Sequence, residues 1–326
     1  MPSSPSTNRN RQINGVQFVA IIVAIALIGS LIGGLTAGLL VPAVGAAGAT
    51  VRALPETFRE LPSDLDVIEP SEGSQLLDSE GRVLTNFYTD RRIVVTSEQI
   101  PQIMRKAIVA IEDRRFYTHH GVDPEGILRA AVNNLTSGAT KGGGSTITQQ
   151  YVKNILMEQG IQAGDQSLID AAQEVSAERK LREARYALAL ESQLTKDEIL
   201  TGYLNLATFG TNIYGVEAAS RAYFSKAAAD LTVGEAALLA GTVQSPVAYD
   251  PLVHPDAAQA RRDDVLDWML VEDYITQEEY DEAVAIAVTD MLNPESTKEG
   301  CAGDGSAGSY CRWAQQEFLS DPTFGE

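Results

Sequence analysis

Histidine and cysteine are scarce in this chain, three and two in 326 residues. His119 and His120 are neighbours, and His254 lies far along the chain. No H-E-x-x-H occurs, so no zinc ligand set is present in local sequence. Cys301 and Cys311 flank a Gly/Ser-rich loop. They form either a short disulfide-closed loop in an oxidising compartment or two free thiols. Positive charge is also short, with 25 Lys and Arg against 44 Asp and Glu, a net charge of −19. That balance excludes a nucleic-acid binder, which needs a basic footprint. It leaves room for a local basic site facing a phosphate-bearing substrate. Hydrophobic residues make up 44%, far too few for a polytopic membrane protein. There are no internal repeats.

One long uncharged run stands out against this background. Residues 16–41 carry no charged side chain. About 25 residues rising ~1.5 Å each reach about 37 Å, enough to cross a bilayer core with tilt. Arg9 and Arg11 precede the run and favour a cytoplasmic N-terminus by the positive-inside rule. Residues 1–15 are therefore expected to be a cytoplasmic tail and 16–41 a transmembrane helix. A cleaved signal peptide is the alternative, with small residues at 43–49 as its cleavage region. The run is longer than a usual signal core, which favours a retained anchor. Residues 42–73 read as a Pro-punctuated, acidic juxtamembrane connector.

Next, two apolar-rich runs, 75–77 and 82–88, flank Asp78-Ser79-Glu80-Gly81 and predict a hairpin. A third short strand is expected at 93–95. From Ser97 onward the pattern is helical. Helices are predicted at 101–117, 124–135, from Ser145 or Thr146 to about 158, 167–190, 256–271 and 277–288. Asp123-Pro124 opens one of them, and Thr195/Glu198, Thr232/Glu235 and Thr276/Glu279 have capping-box spacing.

The densest chemistry falls in two runs. In the first, Glu112 and Asp113 end an apolar-periodic helix, with Phe116, His119 and Gly121 following. In the second, Gly142–Gly144 feeds Ser145, Thr146, Gln149, Gln150, Lys153 and Asn154. An acid at a helix end beside a turn rich in backbone N–H groups can move a proton next to an anion. The glycine turn lacks the Lys of G-x-x-x-x-G-K-[ST], so a nucleotide site is excluded. Arg179 and Glu183 are four apart and share a helix face; by itself that pair would be an ordinary surface ion pair.

In order, the motifs read Glu112-Asp113-x-x-Phe116-x-x-His119-x-Gly121, then Gly144-Ser145-Thr146-Ile147-Thr148-Gln149-Gln150-x-x-Lys153-Asn154. Arg179-Lys180-x-x-Glu183, Ile199-x-x-x-Tyr203-Leu204-Asn205 and Gly215-x-x-x-Ala219-x-x-Tyr223-Phe224 follow. This series resembles the five signatures of the peptidoglycan glycosyltransferases, glycosyltransferase family 51, the polymerase module of class A penicillin-binding proteins. The departures are Gly142, Tyr151 and Ser225, none at a charged position, and a long 157–177 segment.

The resemblance implies a mainly α, lysozyme-like helical domain with a short N-terminal β-hairpin and a smaller membrane-facing lobe. It implies residues 74–250 as the glycosyltransferase domain and 251–326 as a linker towards a transpeptidase domain, for which no S-x-x-K or K-T-G is present. The implied substrate is lipid II, extended into β-1,4-linked glycan with loss of undecaprenyl pyrophosphate. Glu112 would be the general base and Glu183 the second acid, orienting a cation cluster or holding a divalent cation. Lys153, Arg179 and Lys180 would neutralise pyrophosphate. Ser145, Thr146, Gln149, Gln150 and Asn154 would give neutral hydrogen bonds, with Asp113, Phe116, His119, Tyr203 and Asn205 completing the site. The one cofactor candidate is a divalent cation, Mg or Mn, bound with the pyrophosphate. Expected partners are the growing strand, the cytoplasmic membrane, and cell-wall synthesis or division proteins. A glycan-cleaving enzyme on the same fold, or an inactive scaffold, are the rival readings.

Overall fold

The structure is a computed structural model that describes residues 63–87, 91–137, 144–294, 301 and 308–321. The predicted membrane span and most of the connector lie outside the described residues. No described helix is long and apolar enough to cross a membrane.

The fold is mainly helical with two small sheets. Strands β1 (Ser74–Leu77) and β2 (Val83–Phe87) pair antiparallel as the predicted hairpin. Its turn is closed by Asp78, whose Oδ1 accepts from the backbone N–H of Glu80 at 2.8 Å and of Arg82 at 2.9 Å. The third strand falls elsewhere than expected. It is β3 (Arg91–Arg92), parallel to β5 (Ile213–Tyr214) in a sheet of order β3-β5-β4 that includes β4 (Thr208–Gly210). Residues 93–95 have no strand partner because a side chain replaces one. The Asn205 amide accepts from Val95 N–H at 3.1 Å and donates to Val95 C=O at 2.9 Å.

Helix α1 (Gln102–Glu112) buries Met104, Ala107 and Ile108. It stops five residues short of the predicted Tyr117. The next residue, Asp113, leaves the helical region at φ −158°, ψ 76°. Its carboxylate is held instead by groups from other parts of the chain, described below. Helices α2 (Pro124–Ser137), α3 (Ile147–Gln162), α4 (Gln166–Gln173) and α5 (Ala177–Leu190) follow. The single helix predicted over 167–190 is thus two. Ser176 caps α5 by accepting from Arg179 N–H at 3.1 Å, and the Arg179 side chain turns back to Glu174 C=O. A side-chain cap and a local side-chain-to-carbonyl contact outweigh helix propensity at this break.

Helices α6 (Lys196–Leu206), α7 (Val216–Phe224) and α8 (Val233–Thr242) bring in the later motifs. The three predicted capping boxes form, and Thr96/Gln99 and Thr146/Gln149 add two that the sequence reading passed over. Two positions in or beside the motifs have left-handed backbone. Gly121 sits at φ +73°, where a Cβ would lie 2.8 Å from the Ala187 carbonyl. Ser225, where the family usually has glycine, also lies left-handed at φ 55° and donates its hydroxyl to Asn293 C=O at 2.6 Å. The hydroxyl bond offsets part of the strain that glycine would avoid.

The boundary expected at residue 250 is not found. Helix α9 (Pro255–Val271) packs on α8 and α1 and buries Ala258, Val265, Leu266 and Met269 in the same core. Its Arg262 is fully buried and donates to the carbonyls of Ala283 and Ile286, at 3.2 and 2.7 Å, tying in α10 (Gln277–Ala285). Residues 251–292, including α11 (Val288–Met291), are therefore core and not linker. A charged stretch read as a spacer hid an apolar stripe that only its neighbours cover. Beyond it, Cys301 is bridged to Cys311, which lies in the first turn of α12 (Gly308–Ser320).

Candidate active site

A cleft of about 1140 Å³ is lined by residues of α1, α2, α3, α5 and α9. Among the described residues, seven Lys or Arg side chains line it and only three Asp or Glu. The surplus of positive charge is local, since the chain as a whole is at −19.

Glu112 closes α1 at the cleft. Its Oε2 accepts from Gln150 Nε2 at 2.7 Å, and Gln150 Oε1 accepts from the Tyr203 hydroxyl at 3.1 Å. Burial raises the Glu112 pKa; the Gln150 bond and the Arg261 charge oppose that, and Asp113 adds to it. A carboxylate made more basic by dehydration is suited to accept a proton.

Asp113 does different work. Beyond the helix end its two oxygens meet His119 Nε2 at 3.0 and 2.9 Å, and Oδ2 also accepts from Ile147 N–H at 3.0 Å. That N–H is the first of α3, so a buried anion pins the helix start where the helix dipole favours it. Thr146 caps the same helix with Gln149 in a reciprocal box, and its hydroxyl donates to Gly121 C=O at 2.6 Å. The two adjacent motifs are therefore bolted together by their own side chains.

The cationic end is built on α3 and α5. Glu183 is almost fully buried, with one oxygen accepting from Arg179 and the other from Lys180 at 2.8 Å. Lys180 also donates to Ser145 at 3.0 Å. Lys153, on α3, has no ion pair among the described residues. Burial lowers its pKa first, with repulsion from Arg179 and Lys180 adding and Glu183 opposing. An incoming anion would relieve that repulsion. No three His, Cys, Asp or Glu side chains among the described residues come together as a metal site. The two Glu183 oxygens each face a cationic side chain, Arg179 and Lys180.

Of the residues singled out in the sequence, Glu112, Asp113, Ser145, Thr146, Gln150, Lys153, Asn154, Arg179, Lys180 and Tyr203 line the cleft. Phe116, His119, Gln149, Glu183 and Asn205 do not line it. Phe116 is fully buried under Lys196, whose ammonium is 4.5 Å from the ring centroid. The sequence reading missed Arg114, Arg129, Arg261, Gln244 and Trp268, which also line the cleft. Arg114 lies 3.9 Å over the Trp268 ring. Arg114 was visible as the residue after Glu112-Asp113. Arg261 gave no signal, because only the docking of α9 onto α1 brings it near.

The Transglycosylase family model matches residues 80–270. Penicillin-binding protein 1A of Escherichia coli (strain K12) is 42% identical over 214 residues, 66% of this chain and 24% of that protein. Its counterpart from Aquifex aeolicus (strain VF5) is 39% identical over 229 residues, 70% and 30%. Penicillin-binding protein 1F of Bacillus subtilis (strain 168) is 39% identical over 206 residues, 63% and 27%. A crystal structure of penicillin-binding protein 1A from Haemophilus influenzae aligns with TM-score 0.43 and 22% identity, over 80% of this chain and 26% of that one. That alignment is too loose to bear on the fold. The chain belongs to the transglycosylase family: it carries a peptidoglycan glycosyltransferase domain homologous to those of penicillin-binding proteins 1A and 1F. It spans under a third of the length of these relatives.

Proposed function

We propose that this chain polymerises lipid II into β-1,4-linked glycan, inverting at the anomeric carbon and releasing undecaprenyl pyrophosphate, while held to the membrane by residues 16–41. The observation that carries the reading is a half-buried carboxylate with a raised pKa inside a cleft of surplus positive charge, in an otherwise acidic chain. Glu112 takes the proton of the acceptor's 4-hydroxyl as that oxygen bonds to the donor's anomeric carbon. The bond from that carbon to the diphosphate oxygen breaks, and the electron pair leaves with the lipid diphosphate. Lys153, Arg179 and Lys180 offset the leaving group's charge without moving, which is the most effective way to use charge in a closed site. Glu183 aims two of these cations from behind, and Ser145 and Asn154 offer neutral hydrogen bonds beside them. No step is routed through a divalent cation.

Exposed Ile127 and Leu128 on α2, beside the cleft, support a position against lipid. The anchor and the cytoplasmic N-terminus rest on the apolar run and its arginines alone. Residues 74–292 form the catalytic domain in this reading.

The test is gel analysis of the product from labelled lipid II and the purified full chain. The wild type should build strands, and Glu112→Gln should bind lipid II yet lose elongation by about 10²–10⁴-fold. Wild-type growth from that variant sinks the base assignment. Cleavage of finished glycan, with no polymer from lipid II, would favour a hydrolase.

A further inference from the structure

Gln150 lines the cleft, yet its amide is not available to a sugar. Nε2 is bonded to Glu112 and Oε1 to Tyr203. Three helices meet in this chain of bonds, with Glu112 at the end of α1, Gln150 on α3 and Tyr203 on α6. Charge fixes its direction. An ionised carboxylate can only accept, so Gln150 must turn its NH2 towards Glu112. The amide oxygen then faces the other way and needs a donor. Tyr203 is fully buried there. Burial first, and the negative charge of Glu112 second, hold its phenol well above its ordinary pKa, so it keeps the proton it donates.

We propose that Gln150 and Tyr203 are positioning residues for the base: Tyr203 locks the Gln150 amide, which holds Glu112 ionised through Oε2 and leaves Oε1 to receive the acceptor's proton. The proposal rests on the reading of Glu112 as the base. The other charged groups near Glu112 come from α9 (Arg261) and from its own neighbours (Asp113, Arg114), with Lys153 lining the same cleft from α3. Among influences that lower the Glu112 pKa, the Gln150 bond ranks ahead of the Arg261 charge. Removing it therefore lets burial push the pKa higher still.

The experiment uses the full chain in detergent with labelled lipid II. It compares pH profiles of kcat and KM for wild type, Gln150→Met, Tyr203→Phe and the double variant. In parallel, the Glu112 carboxyl is titrated by 13C NMR, assigned by its loss in Glu112→Gln. Gln150→Met should move the acid limb and the NMR midpoint up by about one pH unit, lower kcat about tenfold and leave KM unchanged. Tyr203→Phe should move both the same way by less, and the double variant no further than Gln150→Met alone. A raised KM with an unmoved limb would make Gln150 a sugar ligand and overturn the proposal; additive shifts would show that Tyr203 does not act through it. Tyr203→Phe keeps its ring in the core, so it carries the test through the limb if the Met variant does not fold. Full activity in Glu112→Gln would instead overturn the base assignment itself, so the two failures are distinct.

Discussion

Two glutamates sit near the two ends of helix α3, Glu112 against its first turns and Glu158 on it, and their surroundings push them in opposite directions. Near the start, Glu112 meets the neutral amide of Gln150, and burial leaves its pKa raised. Near the far end, Glu158 meets the Arg92 guanidinium at 2.8 Å, both side chains sealed from water. Burial alone would raise the Glu158 pKa too. The Ser71 N–H at 2.8 Å and the Arg92 charge reverse it, and the net shift is downward. Arg92 also donates to Ser71 C=O at 3.1 Å, and Gln159 and Gln162 donate at 2.8 Å to the carbonyls of Asp66 and Glu69. The stretch before the hairpin is thereby strapped onto the helix that carries Lys153. A carboxylate bonded to a cation and an N–H serves stability, and one bonded to a neutral amide, with a cation only at a distance, keeps its appetite for a proton.

The contrast can be broken most severely at the sealed end. Glu158→Ala strands Arg92 in the interior, at a cost of about 3–5 kcal/mol, read as a drop of roughly 10 °C or more in Tm. An unchanged Tm would mean that water already reaches the pair. At the open end, Lys153→Ala should lower Tm little, because it removes a cation crowded by two others. It should weaken inhibition by a phosphoglycolipid substrate mimic about tenfold, in line with loss of one charge-assisted contact. Unchanged inhibition together with unchanged turnover would count against its diphosphate role.

Acid should separate the two glutamates without mutation. The Glu158 pKa is depressed, so its stabilising contribution holds above the ordinary value of 4.5 and is lost as pH falls through the lower, folded value. The Glu112 pKa is raised above 4.5, so protonating it removes a buried charge and favours the fold while it disables the base. On lowering pH, turnover should fall first while Tm holds, with Tm falling only later. Simultaneous loss of both would place the activity limb on unfolding. The smallest effect is expected from Lys180→Ala, whose half-exposed side chain should contribute under about 1 kcal/mol to stability by thermal melts.

The motif residues were legible because their types and spacing carry the chemistry, and most of them reach one cleft. What each does inside the site was less legible. Gln149 and Gln150 are neighbours in one motif, and both read as hydrogen-bond donors to substrate. The turn of α3 sends one into a capping box and the other to Glu112. Asp113 reads as a second carboxylate on the same helix, yet it lies past the helix end, held by His119 and Ile147 N–H. Helix α9 read as part of a linker because it follows the Pro251–Pro255 break and carries none of the five motifs. Its role in the core depends on α1 and α8, which are distant in sequence.

By itself the sequence determined the helical pattern, the capping boxes, the hairpin and the inventory of acids and cations, since these depend on residues within a turn or two of one another. Tertiary structure alone decided which carboxylate is neutralised and which stays basic. It also brought Arg261 to the cleft and gave Asp113, past the end of its helix, a partner in Ile147 N–H. Dielectric, desolvation and hydrogen-bond partnership depend on what packs nearby, and chain neighbours supply only part of that.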